Sequence, residues 1–117
     1  MSEVEEFVRR YYTTVDTLGA VETVALFTPD AVYRRPGYAE MKGRDALAHF
    51  YGAERVIAGG QHTVESILAD GASAAVRGTF RGVLRDGQDV EVGFADFMRF
   101  EYGLIADRTT YFYSPAV

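Results

Sequence analysis

Asp96 is the residue whose placement most clearly suggests chemistry. The segment Val90 to Phe100 alternates strictly: Val90, Val92, Phe94, Asp96, Met98 and Phe100 on one face, Glu91, Gly93, Ala95, Phe97 and Arg99 on the other. A strand turns successive side chains to opposite faces, so the first set faces a core and Asp96 is its one polar member. A carboxylate among Phe94 and Met98 is costly unless it is paired or hydrogen-bonded, and otherwise it takes up a proton. Two readings follow: a structural Asp bridged to a cation, or a functional carboxyl in a pocket wall. Arg77 is the candidate partner in one hairpin register only. A two-residue loop at Asp86-Gly87 sets Arg77 opposite Asp96, whereas a three-residue loop Arg85-Asp86-Gly87 sets Val76 there. The second register gathers Val76, Phe80, Val92 and Phe94 on one face, as patterning prefers.

Tyr11 and Tyr51 lie on the apolar stripes of their helices, where a phenol either packs or offers a hydrogen bond to a ligand. His49 and His62 are the only histidines. Neither has a second His or a carboxylate at ligand spacing, so no metal site is expected. Nucleophile elbow, phosphate loop and dinucleotide fingerprint are all missing, and no cofactor is expected.

The elements that must position these residues follow from periodicity. Ser2 and Glu5 form a capping box ahead of Val4, Phe7, Val8, Tyr11, Tyr12 and Val15 at helical spacing. A second helix is expected from Thr17 to Phe27, stopped by Pro29, then an extended piece from Ala31 to Arg35. A third helix starts near Arg44, carries Leu47, Phe50, Tyr51 and Glu54 on one side, and ends at Gly59-Gly60. From Gln61 the period becomes two: strands at Gln61–Ala69, Ala74–Leu84, Val90–Phe100 and Ile105–Tyr113, with turns at Asp70-Gly71, Asp86-Gly87 and Tyr102-Gly103. Helices followed by an antiparallel meander make an α+β chain. Gly78, Gly82 and Gly93 inside long strands suggest a sheet bent around something.

A length of 117 residues fits one domain, 1–117, and apolar residues at 48% can build its core. Cysteine is absent, which fits a reducing, cytoplasmic compartment. The first six residues carry three glutamates, unlike a signal peptide, and no apolar run reaches a membrane span, so no membrane partner is expected. The formal charge of −5 argues against nucleic acid, which needs a basic face. Tyr and Phe number eight each, enough to crowd a core or to line a cavity.

Ala25-Leu26-Phe27, Pro29-Asp30-Ala31, Gly43-Arg44-Asp45-Ala46-Leu47, Phe50-Tyr51, Phe94 through Phe100, Gly103-Leu104-Ile105 and Tyr111-Phe112 follow one another in a familiar order. In this the chain resembles the SnoaL-like and ketosteroid-isomerase-like proteins of the nuclear transport factor 2-like superfamily. The resemblance implies a cone: a strongly curved, antiparallel or mixed sheet wrapped around three N-terminal helices, with a pocket at the wide end and often a dimer. It matches Tyr11, preceded by Arg10, to the tyrosine that donates to a developing enolate. It matches Asp96 to a protonated aspartic acid beside that tyrosine, and Tyr51 to a supporting tyrosine; the neutral donor acid is a known feature of ketosteroid isomerase. The general base of that family precedes the proline after the first strand, where this chain has Arg35-Pro36; arginine stays protonated and cannot take a proton. The water-activating Asp-Arg-Asp set of the epoxide-hydrolase branch falls on Thr79, Arg77 and Thr110. The histidine–carboxylate pair that scytalone-dehydratase-like chemistry would want cannot be assembled from the sequence.

Three functions remain open. One is a small-pocket isomerase, cyclase or lyase acting on a hydrophobic carbonyl or enolisable ring. Tyr11 and Asp96 would be its donors, or Asp96 its acid or base, with Tyr51 in support. The others are a non-catalytic binder of a hydrophobic small molecule and a dimerising structural module. Phe94, Met98, Tyr33, Arg35, Phe50, Phe80 and Phe112 are the expected pocket residues, with Arg35 or Arg77 available to an anion. Phe97 on the outer face points to a homodimer.

Overall fold

The computed structural model describes residues 2–114, so residues 1 and 115–117 of the expected domain lie outside the described residues. Helix α1 (Glu3–Thr17) begins at Ser2, whose hydroxyl accepts from the Glu5 amide at 3.1 Å. A short α2 (Ala20–Val24) leads into β1 (Phe27–Arg34) and β2 (Met41–Lys42). Helix α3 (Gly43–His49) runs into a π-helical turn, Phe50–Glu54. Four long strands follow: β3 (Ile57–Asp70), β4 (Ser73–Leu84), β5 (Asp89–Glu101) and β6 (Leu104–Phe112). The fold is α+β: a curved, unclosed sheet in the order β2-β1-β6-β5-β4-β3. Helix α1 packs on β3 and β4, and α3 on β1. The sheet is mixed because β1 runs parallel to β6 while every other pair is antiparallel.

Three expectations need correction. The second helix stops at Val24 because Phe27 pairs with Ile105 in the sheet and the Leu26 carbonyl accepts from the Ile105 amide at 2.9 Å. The third helix gives way at Phe50 to a π-helical turn. Gly59-Gly60 does not end it but lies within β3, where a Cβ on Gly60 would strike the Arg81 carbonyl and the Phe80 ring. The two-residue β2, hydrogen-bonded to β1, carries too short a pattern to be read from sequence.

The β4–β5 hairpin settles its register through a three-residue loop. The Leu84 amide donates to the Gln88 carbonyl, Gly87 is left-handed at φ 90°, and Val76 stands opposite Asp96. Arg77 therefore points outward, 3.8 Å from Glu65, and cannot pair with Asp96. Of the three positions on which the epoxide-hydrolase set falls, Arg77 and Thr79 face outward beside Glu65, and Thr110 faces inward.

Two bulges decide what else faces inward. The Tyr102-Gly103 turn pairs Glu101 with Leu104 and Phe100 with Ile105; a shift at Arg99 then pairs Asp96 with Thr110 and Met98 with Arg108. Unshifted, Asp96 would oppose Thr109, and Arg108 and Thr110 would point to solvent. A bulge between Val64 and Ser66 likewise pairs His62 with Phe80 instead of Arg81. Tight crossing of the bent strands leaves no room for a side chain at Gly78, where a Cβ would meet the Thr63 carbonyl and the Phe94 ring. Gly78→Ala is expected to lower stability by about 1–3 kcal/mol, measured by urea unfolding, whereas Gly71→Asn at an open left-handed turn changes it little.

Candidate functional site

Asp96 is fully buried, at 0% exposure, and is held from three sides. Arg108, 4% exposed, donates through Nη2 to Oδ2 at 2.8 Å. The Tyr12 hydroxyl donates to the same oxygen and the Thr110 hydroxyl to Oδ1. Both oxygens act as acceptors, the pattern of a carboxylate. Burial first, and then the Asp96 charge, push the Tyr12 phenol well above its ordinary value, so it remains a donor. Burial alone would lower Arg108, but the Asp96 charge and the surrounding tyrosine oxygens outweigh it and the net shift is upward. Asp96 as a neutral donor, or as an acid or base with a free oxygen, does not fit this geometry.

A hydrogen-bond chain leads outward from the ion pair. Thr110 spends its hydrogen on Asp96, so its oxygen accepts from Tyr33 at 2.9 Å. The Tyr33 oxygen in turn accepts from Arg35 Nη1 at 3.2 Å. On the other side Arg108 Nη1 donates to the Tyr11 and Tyr51 oxygens at 2.7 and 3.1 Å. These two phenols lie 2.5 Å apart and share one hydrogen. Two hydroxyls hold two hydrogens, and the second has no acceptor among the described residues. Burial raises both phenols, well above the ordinary value for Tyr11, which keeps them protonated beside the cation. Tyr11 and Asp96, expected side by side, are thus joined through Arg108. It is Tyr12, the next residue along α1, that touches the carboxylate.

His62 completes the inner wall. Its Nδ1 lies 2.6 Å from Asp16 Oδ1, and its backbone amide donates to Asp16 Oδ2 at 2.8 Å. Desolvation lowers the His62 pKa below 6.5, against the pull of Asp16. The neutral ring then donates Nδ1–H to Asp16 and keeps a lone pair on Nε2. This is the histidine–carboxylate pair that the sequence did not reveal. Forty-six positions separate the two residues, and the bulge in β3 brings them together.

Tyr11, Tyr51, His62, Asp96, Arg108 and Thr110 line one enclosed cavity of about 20 Å3, along with Arg35, Arg55, Phe80, Phe94 and Phe112. Of the expected pocket residues, Arg35, Phe80, Phe94 and Phe112 are there. Tyr33, Phe50 and Met98 are buried but not on the cavity. Tyr33 bonds Thr110, Phe50 packs edge-on to Tyr33, and Met98 lies against a separate surface hollow with Ala74. Arg55, Arg108, Tyr12 and the Asp16–His62 pair were not foreseen as site residues. For Arg108 a signal existed: it shares strand parity with Thr110 and Phe112. Among the described residues no three His, Cys, Asp or Glu side chains gather as metal ligands.

The SnoaL-like domain model matches residues 8–108, and the chain belongs to that family. Its fold is that of the nuclear transport factor 2-like and ketosteroid-isomerase-like proteins. An NTF2-like protein of unknown function from Burkholderia pseudomallei superposes with a TM-score of 0.85 at 22% identity, covering 96% of this chain and 92% of that one. A hypothetical protein with a ketosteroid isomerase-like fold from Catenulispora acidiphila, crystallised with trimethylamine, gives 0.80 at 17%, covering 91% and 84%. An LEH-like epoxide hydrolase from M. tuberculosis gives 0.80 at 19%, covering 94% and 82%. No curated protein matches the chain. No helix among the described residues is long and apolar enough to cross a membrane.

Removing one partner of a buried ion pair strands the other. Arg108→Met should cost about 3–5 kcal/mol of folding free energy, read from denaturant midpoints. The double variant Arg108→Met/Asp96→Asn should recover part of that loss, and a loss no larger than that of an exposed arginine would refute the assignment.

Proposed function

We propose that this chain is an enzyme for proton transfer next to a carbonyl, of isomerase, cyclase or lyase type, acting on a hydrophobic enolisable substrate in the inner cavity. One observation carries the reading: a neutral His62, held by Asp16, and an unspent tyrosine hydroxyl, backed by Arg108, line the same cavity. His62 Nε2 takes the proton from the carbon beside the carbonyl. The C–H electron pair forms the C=C bond and the carbonyl π pair moves onto oxygen. The Tyr11–Tyr51 pair donates its free hydrogen to that oxygen, and Arg108 polarises the donor. His62 then returns the proton to the substrate. Asp96 fixes Arg108.

A non-catalytic binder of a hydrophobic molecule is the second reading, favoured by the small volume of the cavity, which a substrate has to enlarge. Either form is proposed to be a homodimer through the outer sheet face. Phe97 and Tyr111, 52% and 57% exposed, meet edge-on there at 5.8 Å. Phe97→Glu should shift a dimer to monomer in sedimentation; a wild-type monomer at micromolar concentration removes the dimer proposal.

Deuterium exchange at the α-carbon of 2-tetralone, followed by NMR, tests the catalytic reading. His62→Gln and Tyr11→Phe should each slow exchange by about 10²-fold or more. Unchanged rates in both variants would leave only the binder. The acting base is neutral His62 with a lowered pKa, so activity persists below pH 6.5 and is lost as pH falls through the folded value. Stability has the same sign: below 6.5 the unfolded chain takes up the proton first, so folding weakens on acidification, and His62→Gln should flatten that slope.

A further inference from the structure

The inner cavity holds more positive charge and more unused donors than its carboxylates can satisfy. Arg35, 8% exposed, makes no ion pair among the described residues, and its Nε and Nη2 are buried without an acceptor. Three aromatic faces hold its guanidinium instead: Tyr38 at 5.4 Å, Phe50 at 5.1 Å and Phe112 at 5.1 Å. Arg55 Nε and Arg108 Nε are likewise buried and unpaired. Asp96 is saturated by Arg108, Tyr12 and Thr110, and Asp16 by His62. Unpaired buried donors on cations are costly, so four of them on one small cavity call for an acceptor from outside the chain.

Just beyond the cavity is an open groove of about 780 Å3. Phe112 lines both spaces, and the chain neighbours of the two arginines, Pro36, Glu54 and Val56, line the groove. Phe112 is thus common to both spaces, and Arg35 and Arg55, which line the cavity, each adjoin groove residues along the chain. Val56, Leu84, Phe112 and Tyr113 make the groove apolar, and Glu54, Arg85 and Asp86 place both signs of charge on its walls.

We infer that Arg35 and Arg55 form a carboxylate-binding site, and that the ligand is an apolar carboxylic acid whose body lies in the outer groove. Nε and Nη2 of one guanidinium form its side-on fork, two parallel N–H groups that match the two oxygens of a carboxylate. Arg55 Nε adds a third donor. Because the free cavity holds about one water, the carboxylate displaces the Phe112 ring toward the groove as it enters. The inference rests on the small-molecule reading of the cavity and names its substrate class.

Titration calorimetry with 2-naphthoate and with its amide, 2-naphthamide, tests the site. The acid should bind at least tenfold more tightly than the amide. Arg35→Gln should abolish that preference, and Arg55→Gln should reduce it several-fold. Ligand-free Arg35→Leu should melt no lower than wild type, because the substitution removes an unpaired buried charge; a purely structural arginine would give a lower midpoint. Equal binding of acid and amide, no binding of the acid, or an unchanged preference in Arg35→Gln and Arg55→Gln overturns the inference. So does inorganic phosphate binding more tightly than the acid. His62→Gln separates the two proposals: it should bind 2-naphthoate like wild type while losing exchange. Wild-type binding without exchange upholds the carboxylate site and rejects the catalysis.

Discussion

The ion pair of Asp96 and Arg108 organises the interior of this protein. Two opposite charges buried under a curved sheet are tolerated only when the remaining lone pairs and N–H groups are also spent. Tyr12 and Thr110 complete Asp96; Tyr11 and Tyr51 take the other arm of Arg108. Through Thr110 and Tyr33 the same network reaches Arg35 in the cavity wall. Helix α1 is thereby tied to β5 and β6 by its two adjacent tyrosines, one to each partner of the pair. The carboxylate that appeared as a candidate donor instead supports the groups able to donate.

This network also gives the cavity its chemical sign. With Asp96 and Asp16 saturated, what still faces the space is a free phenol hydrogen, the lone pair of a neutral imidazole and unpaired guanidinium nitrogens. Such a lining favours an oxygen that carries or gains negative charge. The aromatic clamp on Arg35 suits that role, because π faces hold a guanidinium without consuming its hydrogen-bond donors. Arginine stands before Pro36, where the family resemblance implies a base, and it cannot take a proton.

Much was legible in the residues. Strand alternation placed Asp96 inward, the Ser2–Glu5 box began the first helix, and Gly87 admitted the three-residue hairpin loop that set Val76 opposite Asp96. The order of motifs carried the family and the mixed, curved sheet. Phe80, Phe94, Phe112 and Arg35 were placed on the cavity by parity and position, whereas Met98 shares that parity but lies too far along β5 to reach it. Tyr33 and Phe50 have the right composition but are turned into packing beneath the wall. Parity identifies a face; it does not say how far along the face a cavity extends.

The sequence by itself determined which segments alternate, which side of β5 is buried and that an acid would need a partner there. Only the tertiary structure decided which partner. A bulge between Arg99 and Phe100 turns Arg108 and Thr110 inward, and another between Val64 and Ser66 turns His62 toward the core and Asp16. Each bulge adds one residue to a strand and exchanges its faces. Each placement answers to contacts across strands and helix, Asp96 with Arg108 and Thr110 at one bulge and His62 with Asp16 at the other, which no local pattern of residues records.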